Sequence, residues 1–180
     1  GERIVFASSG VIGKLDIPDA TLRTSNSYGG SCIDLVWTGS DHLCIRNSGL
    51  LMTQDITTLN NNCASSCKRG VFDGSHIWVT QSTGSILKFS VDRTNNFSLV
   101  SEYSIGSGPH GITYDGDKLW VTDSVSNQVT TVNPDDGTIL SSYSVGTQPT
   151  EVLYDGEHVW VLNTGADSIS KIDALNGEII

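Results

Sequence analysis

Basic residues are scarce in this chain. Lys and Arg together number 10 against 20 Asp and Glu, which leaves a formal net charge of -10. A surface this acidic repels phosphate backbones, so nucleic acid is excluded as an expected partner, and anionic membrane surfaces are disfavoured for the same reason. No stretch approaches the roughly 18 consecutive apolar residues that a spanning helix needs, so no membrane insertion is expected. Methionine occurs once and proline 4 times. No window carries sustained 3.6-residue periodicity, which excludes helices longer than about two turns. No Gly-x-Ser-x-Gly elbow, His-Glu-x-x-His pair or phosphate loop is present. The opening residues, Gly1-Glu2-Arg3-Ile4-Val5-Phe6, lack a signal-peptide layout, and a trimmed mature chain would look the same.

Glycine is plentiful, at 19 residues. Val, Ile, Thr and Ser are frequent, and Gly, Asn and Asp punctuate them. That is the composition of short strands joined by tight turns. The strands repeat. Phe72-Asp73-Gly74-Ser75-His76-Ile77-Trp78-Val79-Thr80 is echoed at Tyr114-Asp115-Gly116-Asp117-Lys118-Leu119-Trp120-Val121-Thr122 and again at Tyr154-Asp155-Gly156-Glu157-His158-Val159-Trp160-Val161-Leu162. A fainter copy runs from Thr38 to Arg46, with Cys44 expected at the Trp place. Alternating strands follow, such as Asn127–Pro134 and Asp167–Asp173, and each closes on a glycine turn, Asp136-Gly137 or Asn176-Gly177. These dipeptides supply the positive φ that tight hairpins require. The Asp-Gly pairs lack the ligand spacing of a calcium loop, so Asp115, Asp136 and Asp155 are read as turn residues. No metal and no cofactor is expected.

One unit of about 40 residues therefore holds four antiparallel strands. A sheet of that size cannot bury both faces alone, and radial stacking of such sheets is a β-propeller. The sequence predicts an all-β chain forming one propeller domain over residues 1–180, with units near 3–30, 31–66, 67–108, 109–148 and 149–180. That is about 4.5–5 blades, as a short ring or as a fragment of a larger propeller. The repeated Trp78, Trp120 and Trp160 are expected to be buried between blades. An open ring would expose strand edges, which favours self-association.

The pattern Gly-x-x-Pro…Asp-Gly-x-x-Leu-Trp-Val-Thr-x-x-x-x-Asn-x-Val…Asp-Gly resembles the YVTN-type propeller repeats of bacterial and archaeal surface proteins. It is more distantly similar to the NHL-like propellers that include the virginiamycin B lyases. The resemblance is good from Gly70 onward and weaker before it. It implies the architecture and a surface setting; the lyase branch implies histidine-based elimination at a bound metal.

The 4 cysteines are Cys32, Cys44, Cys63 and Cys67. The Cys63–Cys67 step lies in a segment, 59–70, that takes the place of an outer strand and its connection. A four-residue step in an irregular loop can bring Cα atoms within the roughly 4.4–6.8 Å that a disulfide needs. Cys63–Cys67 is the expected staple, with Cys32–Cys67 as the rival pairing. A disulfide implies an oxidising, extracytoplasmic home, and the Asn96-Phe97-Ser98 sequon agrees with it.

Propellers bind at the mouth of the central channel, where loops enter the innermost strands. Aligning Ile33, Cys67, Pro109 and Pro149 at one level puts Asp34, Lys68, Arg69, His110, Thr150 and Glu151 around that mouth. This level varies between units while the frame around it repeats, as a specific binding site would. Two functions follow. One is a non-enzymatic binding or scaffolding module of a cell surface, secreted assembly or virion, with a protein or carbohydrate partner. The other is a lyase or hydrolase at the channel mouth, for which His110 is the available imidazole and no second histidine stands at its level.

Overall fold

The computed structural model describes residues 66–90 and 98–180 throughout and, of Val91, Phe97 and the strands before residue 66, the backbone alone. The described strands form five antiparallel sheets, each in chain order. The first holds β1 (Arg3–Ser8), β2 (Val11–Asp16) and β3 (Thr21–Thr24). The second holds β4 (Cys32–Trp37), β5 (His42–Arg46), β6 (Gly49–Met52) and β7 (Thr58–Leu59). β8 (Cys67–Phe72), β9 (His76–Gln81), β10 (Ser85–Val91) and β11 (Phe97–Ser104) make the third. β12 (Pro109–Tyr114), β13 (Leu119–Asp123), β14 (Gln128–Val132) and β15 (Ile139–Ser144) make the fourth. The fifth is β16 (Pro149–Tyr154), β17 (His158–Asn163) and β18 (Ser168–Asp173), with an isolated bridge from Ile172 to Ile179. No helix occurs among the described residues.

Strands β4, β8, β12 and β16 contact one another in succession and form the inner layer. Each second strand, β5, β9 or β13, packs against the inner strand of the next sheet. β1 meets β4 in the same manner. This is the all-β propeller arrangement, with apolar cores lying between successive blades. One core joins Trp78 and Ile86 to Ile112, Leu119, Val121 and Val132 of the next blade. The other joins Trp120 and Val129 to Val152, Val159, Val161 and Ile172.

The repeated aspartate and tryptophan act together. The indole N–H of Trp78 donates to Asp73 at 2.7 Å, that of Trp120 to Asp115 at 2.6 Å and that of Trp160 to Asp155 at 2.7 Å. The other carboxylate oxygen of each Asp accepts backbone N–H groups two and three residues on. A buried indole needs an acceptor for its N–H, and the turn supplies it. Trp78 then stacks on Tyr103, with ring centroids 5.9 Å apart, and Trp120 on Tyr143 at 5.6 Å. Lys88 lies 5.0 Å over the Trp78 ring and donates to Pro134 O in the next blade at 2.7 Å. Lys118 does the same over Trp120, at 5.3 Å, and donates to Ala174 O at 3.0 Å.

Three expectations are corrected by the structure. Trp78 and Trp120 are fully buried, but Trp160 is 37% exposed, because no described element covers the outer face of the fifth sheet. In the second sheet the pairs Trp37–His42 and Val36–Leu43 match Phe72–Ile77 and Val71–Trp78. Leu43 therefore holds the Trp place, and Cys44 holds the place of Val79. Thr38 then falls where the Asp would stand, so this unit lacks both partners of the hydrogen bond. The outer strand of that unit is also kept, shortened to Thr58–Leu59 and paired with Leu50 and Leu51 of β6.

Two of these turn carboxylates, Asp115 and Asp155, are held low. At Asp155 the N–H of His158, the indole N–H of Trp160 and the N–H of Glu157 depress the pKa to about 2. Burial pushes Asp115 up, but the N–H of Lys118, the indole of Trp120 and the N–H of Asp117 together bring it below the usual range. A carboxyl whose folded pKa is depressed stabilises above its unfolded value, near 4, and loses that contribution as pH falls through the folded value. The urea midpoint should therefore be level above about pH 4 and fall steadily towards pH 2. Asp115→Asn should flatten that fall, and an unchanged slope would mean that Asp115 does not carry it.

Candidate functional site

The inner strands share one irregularity. Cys32, Cys67, Pro109 and Pro149 pair with Arg46, Gln81, Asp123 and Asn163, and each ladder then slips before regular pairing resumes. The level reference in the second sheet is thus Cys32 rather than Ile33. The first place after it holds Ile33, Lys68, His110 and Thr150, and the second holds Asp34, Arg69, Gly111 and Glu151. A bulge of this kind releases residues from the ladder and re-aims them. Threonines of the second strands hold the released backbone. The Thr80 hydroxyl accepts the Arg69 N–H at 3.1 Å and donates to His110 O in the next blade at 2.5 Å. The Thr122 hydroxyl accepts the Gly111 N–H at 2.7 Å.

Arg69 and Glu151 meet across an intervening blade. Arg69 Nε donates to Glu151 Oε2 at 3.1 Å, and Nη2 donates to Oε1. A third guanidinium donor reaches Lys68 O at 3.1 Å. The two-pronged pairing fixes both groups more firmly than a single contact would. Gly111 stands between them at the same level. A Cβ there would lie 2.8 Å from Thr150 O and 3.0 Å from Glu151 Cα, so β12 and β16 approach closely only because this residue has no side chain.

His110 reaches the same neighbour. Its Nδ1 lies 2.8 Å from Thr150 O, and a carbonyl only accepts, so Nδ1 carries the proton and Nε2 is left as an acceptor. Burial pushes its pKa down and the Thr150 bond pulls it up; Arg69 and Lys68 lower it while Glu151 raises it, and the net result is below the ordinary value. The ring is neutral at pH 7. The loop entering β12 is positioned by Asp123, which is 4% exposed and accepts N–H bonds from Ser107 and Gly108 on that loop and from Val125 and Ser126 beyond its own strand. Burial raises the Asp123 carboxyl, and these four bonds bring it below the usual range.

Lys68, Arg69, His110, Thr150 and Glu151 are thus gathered at one end of the inner layer, and Asp34 shares their level by backbone register. Cys67 opens β8 just beneath them, fully buried and disulfide-bonded. Its partner sulfur belongs to a residue whose side chain is not described. Cys63 and Asn96 lie outside the described residues. No group of three or more metal-ligating side chains occurs among the described residues. Asp123, Thr80 and Thr122 were missed by sequence reasoning. The Trp-Val-Thr repeat carried a signal for the threonines, since a hydroxyl recurring two places after a packed Trp asks for a polar partner.

No family model matches the chain, and no curated protein does. Solved structures match its fold. A functionally unknown protein from Desulfotomaculum acetoxidans superposes with a TM-score of 0.78 at 14% identity, covering 99% of this chain and 64% of that one. A catalytically inactive virginiamycin B lyase from Staphylococcus aureus, with quinupristin, gives 0.74 at 18%, covering 95% and 62%. A chain of a mitotic checkpoint complex gives 0.80 at 12%, covering 96% and 59%. The chain thus spans less than two thirds of the length of these neighbours. At such identities the likeness shows the β-propeller fold alone.

Proposed function

We propose that this chain is a non-enzymatic binding or scaffolding module of a cell surface, secreted assembly or virion, and that the channel-mouth residues hold a protein or glycan partner. The observation that carries this reading is the contrast at one level of the fold. The Asp–Trp pairs recur in three units, and the stacked tyrosine and the threonine-held bulge in two of them. At the bulge itself the side chains are Lys68, Arg69, His110, Thr150 and Glu151, chemically different on each strand. Repetition serves packing, and we read the divergence at this rim as serving recognition. The YVTN-type assignment belongs to this reading and rests on the repeat pattern. The disulfide at Cys67 supports an oxidising compartment, and we pair it with Cys63.

A panel of oligosaccharides and peptides, screened by calorimetry, tests the reading. A binder to the native chain should lose at least tenfold in affinity against the combined variant Arg69→Ala, His110→Ala and Glu151→Ala, a loss of about 1.4 kcal/mol or more. Equal affinity for the variant would place recognition elsewhere. The lyase or hydrolase reading is favoured by the unclaimed Nε2 of His110. Incubation with quinupristin followed by chromatography and fragmentation mass spectrometry should return it unchanged; a ring-opened product, isomeric if formed by elimination and heavier by one water if formed by hydrolysis, would favour the enzyme.

A further inference from the structure

We infer that the channel mouth takes a ligand bearing a carboxylate beside a hydroxyl or amide N–H, the carboxylate pairing with Lys68 and the donor bonding Nε2 of His110; this rests on the mouth being the binding surface. The lysines set the argument. Lys88 is buried and tied to carbonyls of the next blade. Lys118 pairs with Asp115 at 3.2 Å and with Ala174 O, and Lys171 lies 5.3 Å over the Trp160 ring. Arg69 is neutralised by Glu151. Lys68 makes no ion pair with any described residue, so its ammonium is the cation that structure has not already claimed among them.

Lys68 and His110 occupy the same register place on adjacent innermost strands, and the Thr80 hydroxyl, which accepts the Arg69 N–H and donates to His110 O, ties those strands together. The imidazole Nδ1 is committed to Thr150 O, so the open nitrogen accepts and cannot donate while the ring is neutral. A bare anion satisfies the ammonium and leaves that acceptor idle. A carboxylate with a neighbouring hydroxyl or N–H satisfies both. Among the described side chains of the mouth, one unpaired positive charge matches a monoanion. A dianionic phosphate would bring a second negative charge beside Glu151, in a chain whose net charge is already -10. Sugar acids and peptide C-termini both present the required pair of groups.

The test is a titration of the full chain, labelled with ¹⁵N at histidine, read at the His110 ring. Methyl β-glucuronide and its neutral counterpart methyl β-glucoside form one arm. N-acetylglycylglycine and its C-terminal amide form the other, and inorganic phosphate is the third probe. One acid or the other should shift the His110 Nε2 resonance saturably, which identifies the source as sugar or peptide. Its neutral analogue should bind at least tenfold more weakly. Lys68→Met should lose about the same factor with an unchanged unfolding midpoint, and Lys68→Arg should recover most of it. Binding by neither acid at millimolar concentration, tighter binding of phosphate, or an acid affinity untouched by Lys68→Met would overturn the inference. A neutral analogue that shifts His110 as strongly as its acid would also overturn it, yet leave the mouth as a binding surface. Silence at His110 towards every probe, with panel binding intact elsewhere, would remove both.

Discussion

Replacing Trp120 with alanine should lower the unfolding free energy by about 3–5 kcal/mol, the range for deleting a large buried aromatic. The side chain is fully buried, and three further interactions depend on it. Its ring stacks on Tyr143, its N–H satisfies Asp115, and Lys118 lies over its face. Removing it opens a cavity between two blades and leaves a half-buried carboxylate without one of its donors. Trp160→Ala is the internal control. It removes the same group from the same register place, but 37% of that residue is already in solvent, so the loss should be well under half as large. Urea unfolding of the two variants decides. A Trp120 loss below about 1 kcal/mol would mean that the inter-blade core does not hold the blades together.

Gly137→Ala should be nearly as damaging, at about 2–4 kcal/mol, from the left-handed backbone and overpacking together. Gly137 sits at φ 74°, where a Cβ is penalised. The added atom would also fall 2.2 Å from Cδ1 of Tyr103. That ring cannot step aside, because it is stacked on the buried Trp78. Gly116→Ala separates the two contributions. Gly116 also has positive φ, at 101°, but a methyl group on its Cα would meet nothing within 4 Å, so only the conformational cost applies. Equal losses for the two variants, measured by thermal and urea unfolding, would show that the Tyr103 contact is dispensable.

These two residues also show what the sequence makes legible. Trp120 and the Asp136-Gly137 turn recur at fixed spacing, and recurrence is visible without coordinates. From it the four-stranded unit, the turns and the inter-blade role of tryptophan follow. The reason the Asp accompanies the Trp is less visible, because it is a hydrogen bond folded back across a turn. The second unit does carry a trace of it, with Thr38 and Leu43 at the two places, once the register is known. That register is set by the Trp37–His42 pair, and a Trp in the place of Phe72 disguised it by one residue. Exposure of Trp160 depends on what covers a sheet face, which no local pattern records. Arg69 and Glu151 lie 82 residues apart. Aligning the repeats brings them to one rim, but their ion pair exists because Gly111 lets the strands between them close up, a fact of three-dimensional packing. Cys67 was legible as a staple, and its partner is a matter of loop path.

Amide chemical-shift mapping of the chain, with the tightest binder from the oligosaccharide and peptide panel, bears most directly on the channel mouth as the site of recognition. Perturbations should concentrate at 67–70, 109–111 and 149–151, and leave the turn residues Gly74, Gly116 and Gly156 at their free positions. Shifts centred on those turns, or spread along the outer strands β11 and β15 with the mouth unmoved, would contradict it.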